Sequence, residues 1–326
     1  MNISLFDEPF LLKLERLSVM SRRAMAGQLQ GERRSPKRGQ SVEFADFRPY
    51  APGDDFRRID WNAYARLERF FLKLFVEEED LTVHILVDAS PSMDWGTPNK
   101  LAYALRVAGA LGYIAMAGLD RVTVSIFGKE SYAGNGSAGR QPVFPVYFFP
   151  HRGKASAQAL FSFLQSHMPA DQPSKLPTFQ PSTPPVIQIQ SYAARAASPG
   201  PLILISDLFE STLPIHPSSN LPTFQTALNA LAAKGFEVTL LHTLSSDERQ
   251  PELSGDLKLL DQEGGTDVEI TADYDLLQRY INVLTGWQNE WRTFCGARGM
   301  HYIPLETTLP LEELLFAWLR QYAVLK

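Results

Sequence analysis

The residue types best suited to chemistry are Asp88, Ser90 and Ser92, spaced two apart where the run Leu81-Thr82-Val83-His84-Ile85-Leu86-Val87 stops. Three oxygen-bearing side chains in one tight turn suit a hard divalent cation. Mg²⁺ prefers oxygen ligands in octahedral geometry, keeps several waters and seldom receives a full protein cage, so such a site leaves a position open. A second apolar run, Pro201-Leu202-Ile203-Leu204-Ile205, stops in the same way at the polar pair Ser206-Asp207.

Both runs are near-continuously apolar and rich in β-branched residues, which predicts central strands covered on both faces. Ligand crevices of open α/β sheets form just past the carboxyl ends of such strands. Helices are predicted between the strands, over 99–118, 155–167, 185–197 and 223–234, as parallel crossovers require. Further strands are expected over 122–127, 142–149 and 236–244. A short edge strand should hold Tyr302-Ile303-Pro304, because proline is confined to edges. A β-hairpin near 257–270 precedes a long helix capped by Asp273, and an amphipathic helix over 311–325 closes the chain. The fold class is therefore α/β, an open, mostly parallel sheet with helices on both faces, over residues 81–326, with a Pro-rich insertion at 169–185. Residues 1–80 form an extension: a helix over 9–29 packed on the main body, a basic arm from Arg22 to Arg38, and a β-ribbon region. In that last part Pro52-Gly53-Asp54-Asp55 is a turn signal, and the mixture of arginines, acids and aromatics predicts charge-assisted hydrogen bonds.

At 326 residues and 44% hydrophobic content the chain can build a substantial core. Its formal charge of −5 gives no global footprint for nucleic acid. The single cysteine, Cys295, rules out an intrachain disulfide and reads as a small apolar helix residue. The N-terminus lacks the apolar region of a secretory signal. The most apolar stretch, Leu101–Leu119, contains Arg106 and reads as a buried helix rather than a membrane span. The expected location is cytoplasmic.

The segments Arg48-Pro49-Tyr50-Ala51-Pro52-Gly53-Asp54-Asp55, Arg58-Ile59-Asp60-Trp61 and Ala65-Arg66, followed by Asp88-x-Ser-x-Ser-Met, resemble the signature of the domain of unknown function family 58. Members of that family are similar to von Willebrand factor A domains and are often linked with MoxR-type AAA+ ATPases. The resemblance implies a metal-ion-dependent adhesion site in which Asp88, Ser90 and Ser92 hold Mg²⁺, or Mn²⁺ or Ca²⁺. It further implies a threonine at a helix N-terminus as second motif and an acid acting through water as third. Thr183, before Pro184-Pro185, stands at the threonine position without the usual Gly-Gly-Thr wording, so Ser182 and Thr178 stay open as alternatives. Asp207 matches the acid.

The function so implied is a non-catalytic, divalent-cation-dependent protein-interaction module. Its partner would supply an acidic side chain, and by resemblance would be a MoxR-type AAA+ ATPase, with the module acting as an adaptor in assembly or maturation of other proteins. The alternative is a metal-dependent hydrolase or phosphotransferase using Asp88 and Asp207. Against it, Ser90 stands where a second carboxylate would be wanted, and no phosphate-binding loop, nucleophile elbow or His-Glu-x-x-His helix occurs. A third expectation, binding of an anionic polymer or membrane surface through Arg22–Arg38, requires strong salt dependence.

Overall fold

A computed structural model describes residues 5–21, 44–51, 54, 56, 59–75, 81–128, 146–169, 184–196, 198–209, 223–260 and 267–326. The chain divides into two compact units, Met1–Arg23 with Leu81–Lys326, and Ala24–Asp80.

In the larger unit the apolar runs become strands β3 (Thr82–Asp88), β4 (Arg121–Phe127), β5 (Val146–Arg152), β6 (Pro201–Ser206), β7 (Glu237–Leu244) and β10 (His301–Glu306) of a six-stranded sheet, ordered β10-β7-β6-β3-β4-β5. All neighbours are parallel except β5, which runs antiparallel to β4 at one edge. Counted within the sheet this is the doubly wound order 3-2-1-4-5-6, whose switch point falls between its first and fourth strands. Those are β3 and β6, the two that end in Asp88 and Ser206-Asp207. Pro304 lies in the opposite edge strand, as expected.

Helix α3 (Lys100–Ala117) covers one face. It is apolar around nearly its whole circumference and almost wholly buried, so the most hydrophobic stretch is core, not membrane. Among the described residues no helix is long and apolar enough to cross a membrane. Around α3 pack Ile85 and Val87 of β3, Val122 and Val124 of β4, and Leu160 of α4 (Ala157–Gln165). On the other face, α5 (Pro185–Arg195) and α6 (Phe224–Lys234) enclose Leu86, Leu202, Leu204 and Leu240. Each fully buried Leu or Ile stabilises by about 1.5–3 kcal/mol, so the two layers together pin the central strands firmly. Asp273 caps the long helix α7 (Tyr274–Gly296) through Leu276 N–H, and a hairpin of β8 (Gly255–Leu259) and β9 (Val268–Ala272) precedes it. Cys295 is free and buried.

Two terminal helices differ from expectation. The helix predicted over 9–29 is α1, Glu8–Leu14, capped by Asp7; beyond it Val19 pairs antiparallel with Leu325, and 22–29 lie outside the described residues. The helix predicted over 311–325 is broken into Leu311–Glu313, a π-helical Leu314–Trp318 and Leu319–Gln321. The wider turn accompanies burial of Leu314, Leu315 and Leu319, and the pairing with Val19 takes the last residues out of the helix.

In the smaller unit β1 (Phe44–Pro49) and β2 (Phe71–Phe75) form the antiparallel ribbon. Arg48 Nη2 donates to Asp54 Oδ1 at 2.8 Å, and Asp54 Oδ2 accepts from Ala51 N–H, so the turn is held by a charge-assisted bond. Within the region expected as β-ribbon, Trp61–Leu67 is helical (α2). Asp60 caps it by accepting from Asn62 and Ala63 N–H, and Glu68 in the left-handed region ends it.

Candidate functional site

Strand β3 delivers Asp88 to the sheet rim, and the loop after it turns at once. Ala89 N–H still bonds Phe127 of β4, then Pro91–Met93 makes a single 3-10 turn with Met93 driven fully into the core. That anchor leaves Ser90 and Ser92 side by side, their Oγ atoms 3.1 Å apart. Across the switch point β6 brings up Ser206, whose Oγ donates to Asp88 Oδ2 at 2.6 Å, while Ser90 N–H donates to Asp88 Oδ1 at 2.9 Å. Ser206 Oγ also accepts from Leu208 N–H. Leu208 is held at φ 59°, a left-handed conformation that a leucine adopts only under constraint.

Asp88 is 1% exposed. Burial, and then the charge of nearby Asp207, push its carboxyl up to about 7 against the opposing bonds from Ser206 and Ser90. The charge of Asp207, at the end of β6, is thus felt by Asp88 at the end of β3. Gly128, at the end of β4, stands at φ 81°; a Cβ there would lie 2.7 Å from Ser90 N and 2.8 Å from Asp88 Oδ1. Gly128 thus cradles the Asp88 turn at a distance that only glycine permits.

Asp207, 3% exposed, does not face the pocket alone. Its Oδ1 accepts from Phe209 N–H at 3.1 Å and its Oδ2 from Lys100 Nζ at 2.9 Å. Lys100 has no exposed surface and also donates to Glu248 Oε1. Burial lowers its pKa, but Asp207 and Glu248 more than offset that, so the net direction is upward and the ammonium stays charged. Glu248 is itself fixed by a capping box with Ser245, whose N–H and Oγ both donate to Oε2. On β7, His242 stands in register with Ser206, bonds Tyr302 Oη at 2.7 Å and is pushed down to about 4 by burial, a neutral core residue.

Neither Lys100 nor Glu248 figured among the site residues legible beforehand. Thr183, with Thr178 and Ser182, lies outside the described residues. Among the described residues no three His, Cys, Asp or Glu side chains are grouped to hold a metal, so any cation must rely on hydroxyls. The donor set fits one nonetheless: hard oxygens, a buried carboxyl under strain from a second acid, and a glycine cradle.

An open, mostly parallel α/β sheet whose rim carries this Asp-Ser-Ser turn resembles the arrangement expected of a von Willebrand factor A domain. The chain belongs to the family described as protein of unknown function DUF58, whose model matches residues 46–285. Uncharacterized proteins of Mycobacterium bovis and Mycobacterium tuberculosis are 30% identical over 119 residues, 36% of this chain and 38% of theirs, so the match spans well under half of those relatives. Among solved structures the chain is similar to BatB of Bacteroides thetaiotaomicron, at 17% identity over 74% of this chain and 97% of that one, with TM-score 0.37. An aerotolerance-related membrane protein of Bacteroides fragilis matches at 14% identity over 74% and 98%, with TM-score 0.36.

Proposed function

We propose that the chain is a non-catalytic, divalent-cation-dependent protein-interaction module, an adaptor working with a MoxR-type AAA+ ATPase in assembly or maturation of other proteins. Asp88, Ser90 and Ser92 would hold Mg²⁺, Mn²⁺ or Ca²⁺, with Thr183 and Asp207 completing the set. A bound cation would supply a positively charged centre with an exchangeable position. Because Ser90 and Ser92 are neutral, the chain's own donors cancel little of that charge, and a partner's carboxylate is the complementary ligand.

The single supporting observation is a buried Asp88 beside the paired Ser90 and Ser92 hydroxyls, its carboxyl pushed up to about 7 by burial first and by the charge of Asp207 second. A carboxyl withdrawn from water near a second acid is stabilised in its ionised form by a cation. Asp88 has almost no exposed surface, and Ser90 N–H and Ser206 Oγ hold its two oxygens, which disfavours a nucleophile. The test is calorimetric titration of Mg²⁺ or Mn²⁺ into wild type and Asp88→Ala. Heat from wild type alone is expected, and equal silence from both would overturn the proposal. Pull-down from the cell extract with and without chelator then tests the ATPase partner, which should be lost with the cation.

A further inference from the structure

Lys100 breaks a rule of its own helix. It is the first residue of α3, where the exposed N–H groups and the macrodipole disfavour a cation, and it is fully buried at the head of an apolar helix. A lysine withdrawn from water at such a place needs strong compensation, and it receives two carboxylates from distant segments, Asp207 and Glu248. The surroundings are built to keep it there. Lys100 N–H bonds Trp95 O at 2.9 Å, Asn99 caps the helix through Ala102 N–H, and Gly96 approaches Ser245 so closely that a Cβ on it would come within 2.4 Å of Ser245 Cβ. Ser245 in turn holds Glu248.

The ammonium thus takes Oδ2 of Asp207 while Phe209 N–H takes Oδ1. Both oxygens of the third-motif acid are engaged by the protein itself. We propose that Lys100 is a positioning residue that holds Asp207 out of direct ion ligation and, by its fixed charge, weakens the affinity of the Asp88 pocket for divalent cations. This rests on the cation-binding function proposed above. Two like-signed charges near one another in a medium of low effective dielectric repel by enough to change an equilibrium about tenfold or more. A site so restrained depends on an added carboxylate, such as a partner's, to hold its cation well.

The test is Mn²⁺ titration of the full chain by calorimetry and by the electron paramagnetic resonance signal of free Mn²⁺, in wild type, Lys100→Gln, Lys100→Arg and Glu248→Gln, with circular dichroism verifying the fold. Lys100→Gln is expected to bind about tenfold tighter or better, Lys100→Arg within about threefold of wild type, and Glu248→Gln several-fold weaker, because it leaves the ammonium less neutralised. A merely structural lysine would give the opposite sign, since loosening the pocket weakens binding. A folded Lys100→Gln that binds no tighter than wild type overturns the inference alone. Should that variant fail to fold, an unchanged affinity in Glu248→Gln overturns it. Absence of binding in every variant overturns the inference and the cation-binding function together.

Discussion

Ser206 Oγ donates to Asp88 Oδ2 across 2.6 Å, joining two residues 118 positions apart at the point where the sheet changes winding direction. The bond stabilises the ionised form of Asp88 and, through the acceptance from Leu208 N–H, also braces the turn that carries Asp207. Ser206→Ala removes both. Its expected effect is a loss of about 1–3 kcal/mol in urea unfolding near pH 8, where Asp88 must be charged, with weaker cation binding. Unchanged stability and affinity would show that the bridge is incidental.

Asp88 makes stability depend on pH in an unusual direction. Its folded carboxyl titrates near 7 while the unfolded one titrates near 3.8, so between those values the folded state carries the extra proton. Stability contributed by this group is present in acid and is lost as pH rises from about 4 to about 7, by a difference on the order of 4 kcal/mol at most. In chelator, Asp88→Asn should therefore gain on wild type steadily across that window and exceed it in urea midpoint at pH 8. Parallel pH profiles for the two proteins would count against the buried acid pair.

Gly128→Ala places a methyl group against Ser90 N and Asp88 Oδ1 at a backbone angle that alanine resists. The expected cost is about 1–3 kcal/mol, and cation affinity should fall at least as far as in Ser90→Ala, because the turn itself must move. Thermal melts with and without Mg²⁺ separate the two effects, since an ion that binds only the folded state raises the melting temperature with concentration. A Gly128→Ala protein that keeps the full Mg²⁺-dependent rise would refute the cradle.

In the smaller unit Asp60 is buried and supplies the cap of α2. Asp60→Ala should destabilise that helix by about 1 kcal/mol and speed proteolytic cleavage near residues 59–70, leaving the melt of the larger unit in place. Cleavage at wild-type rate would mean that the ribbon, not the cap, sets local stability.

The acids at the ends of β3 and β6 were legible because a buried strand announces itself by continuous β-branched apolar residues and its end by the first polar group. The order of helices between them then dictated a parallel sheet. Lys100 was not legible, because a lysine before Leu101 reads as a solvated helix start; only its partners, 107 and 148 residues away, make it a buried one. The pattern Ser245-x-x-Glu248 was a visible capping signal, yet nothing local tells that the glutamate's other oxygen faces Lys100. The early end of the C-terminal helix was equally hidden, since Leu325 pairs with Val19, a residue remote in sequence.

That pairing ties a knot of main-chain bonds between the chain's extremities. Ser18 and Lys326 exchange N–H and carbonyl at 3.2 and 3.0 Å, and Met20 N–H reaches Val324 O at 2.9 Å. The last few residues therefore act as a clasp on the segment leading toward Arg23. Removing residues 322–326 would take away all of these bonds and leave the strand-like stretch after α1 without its clasp.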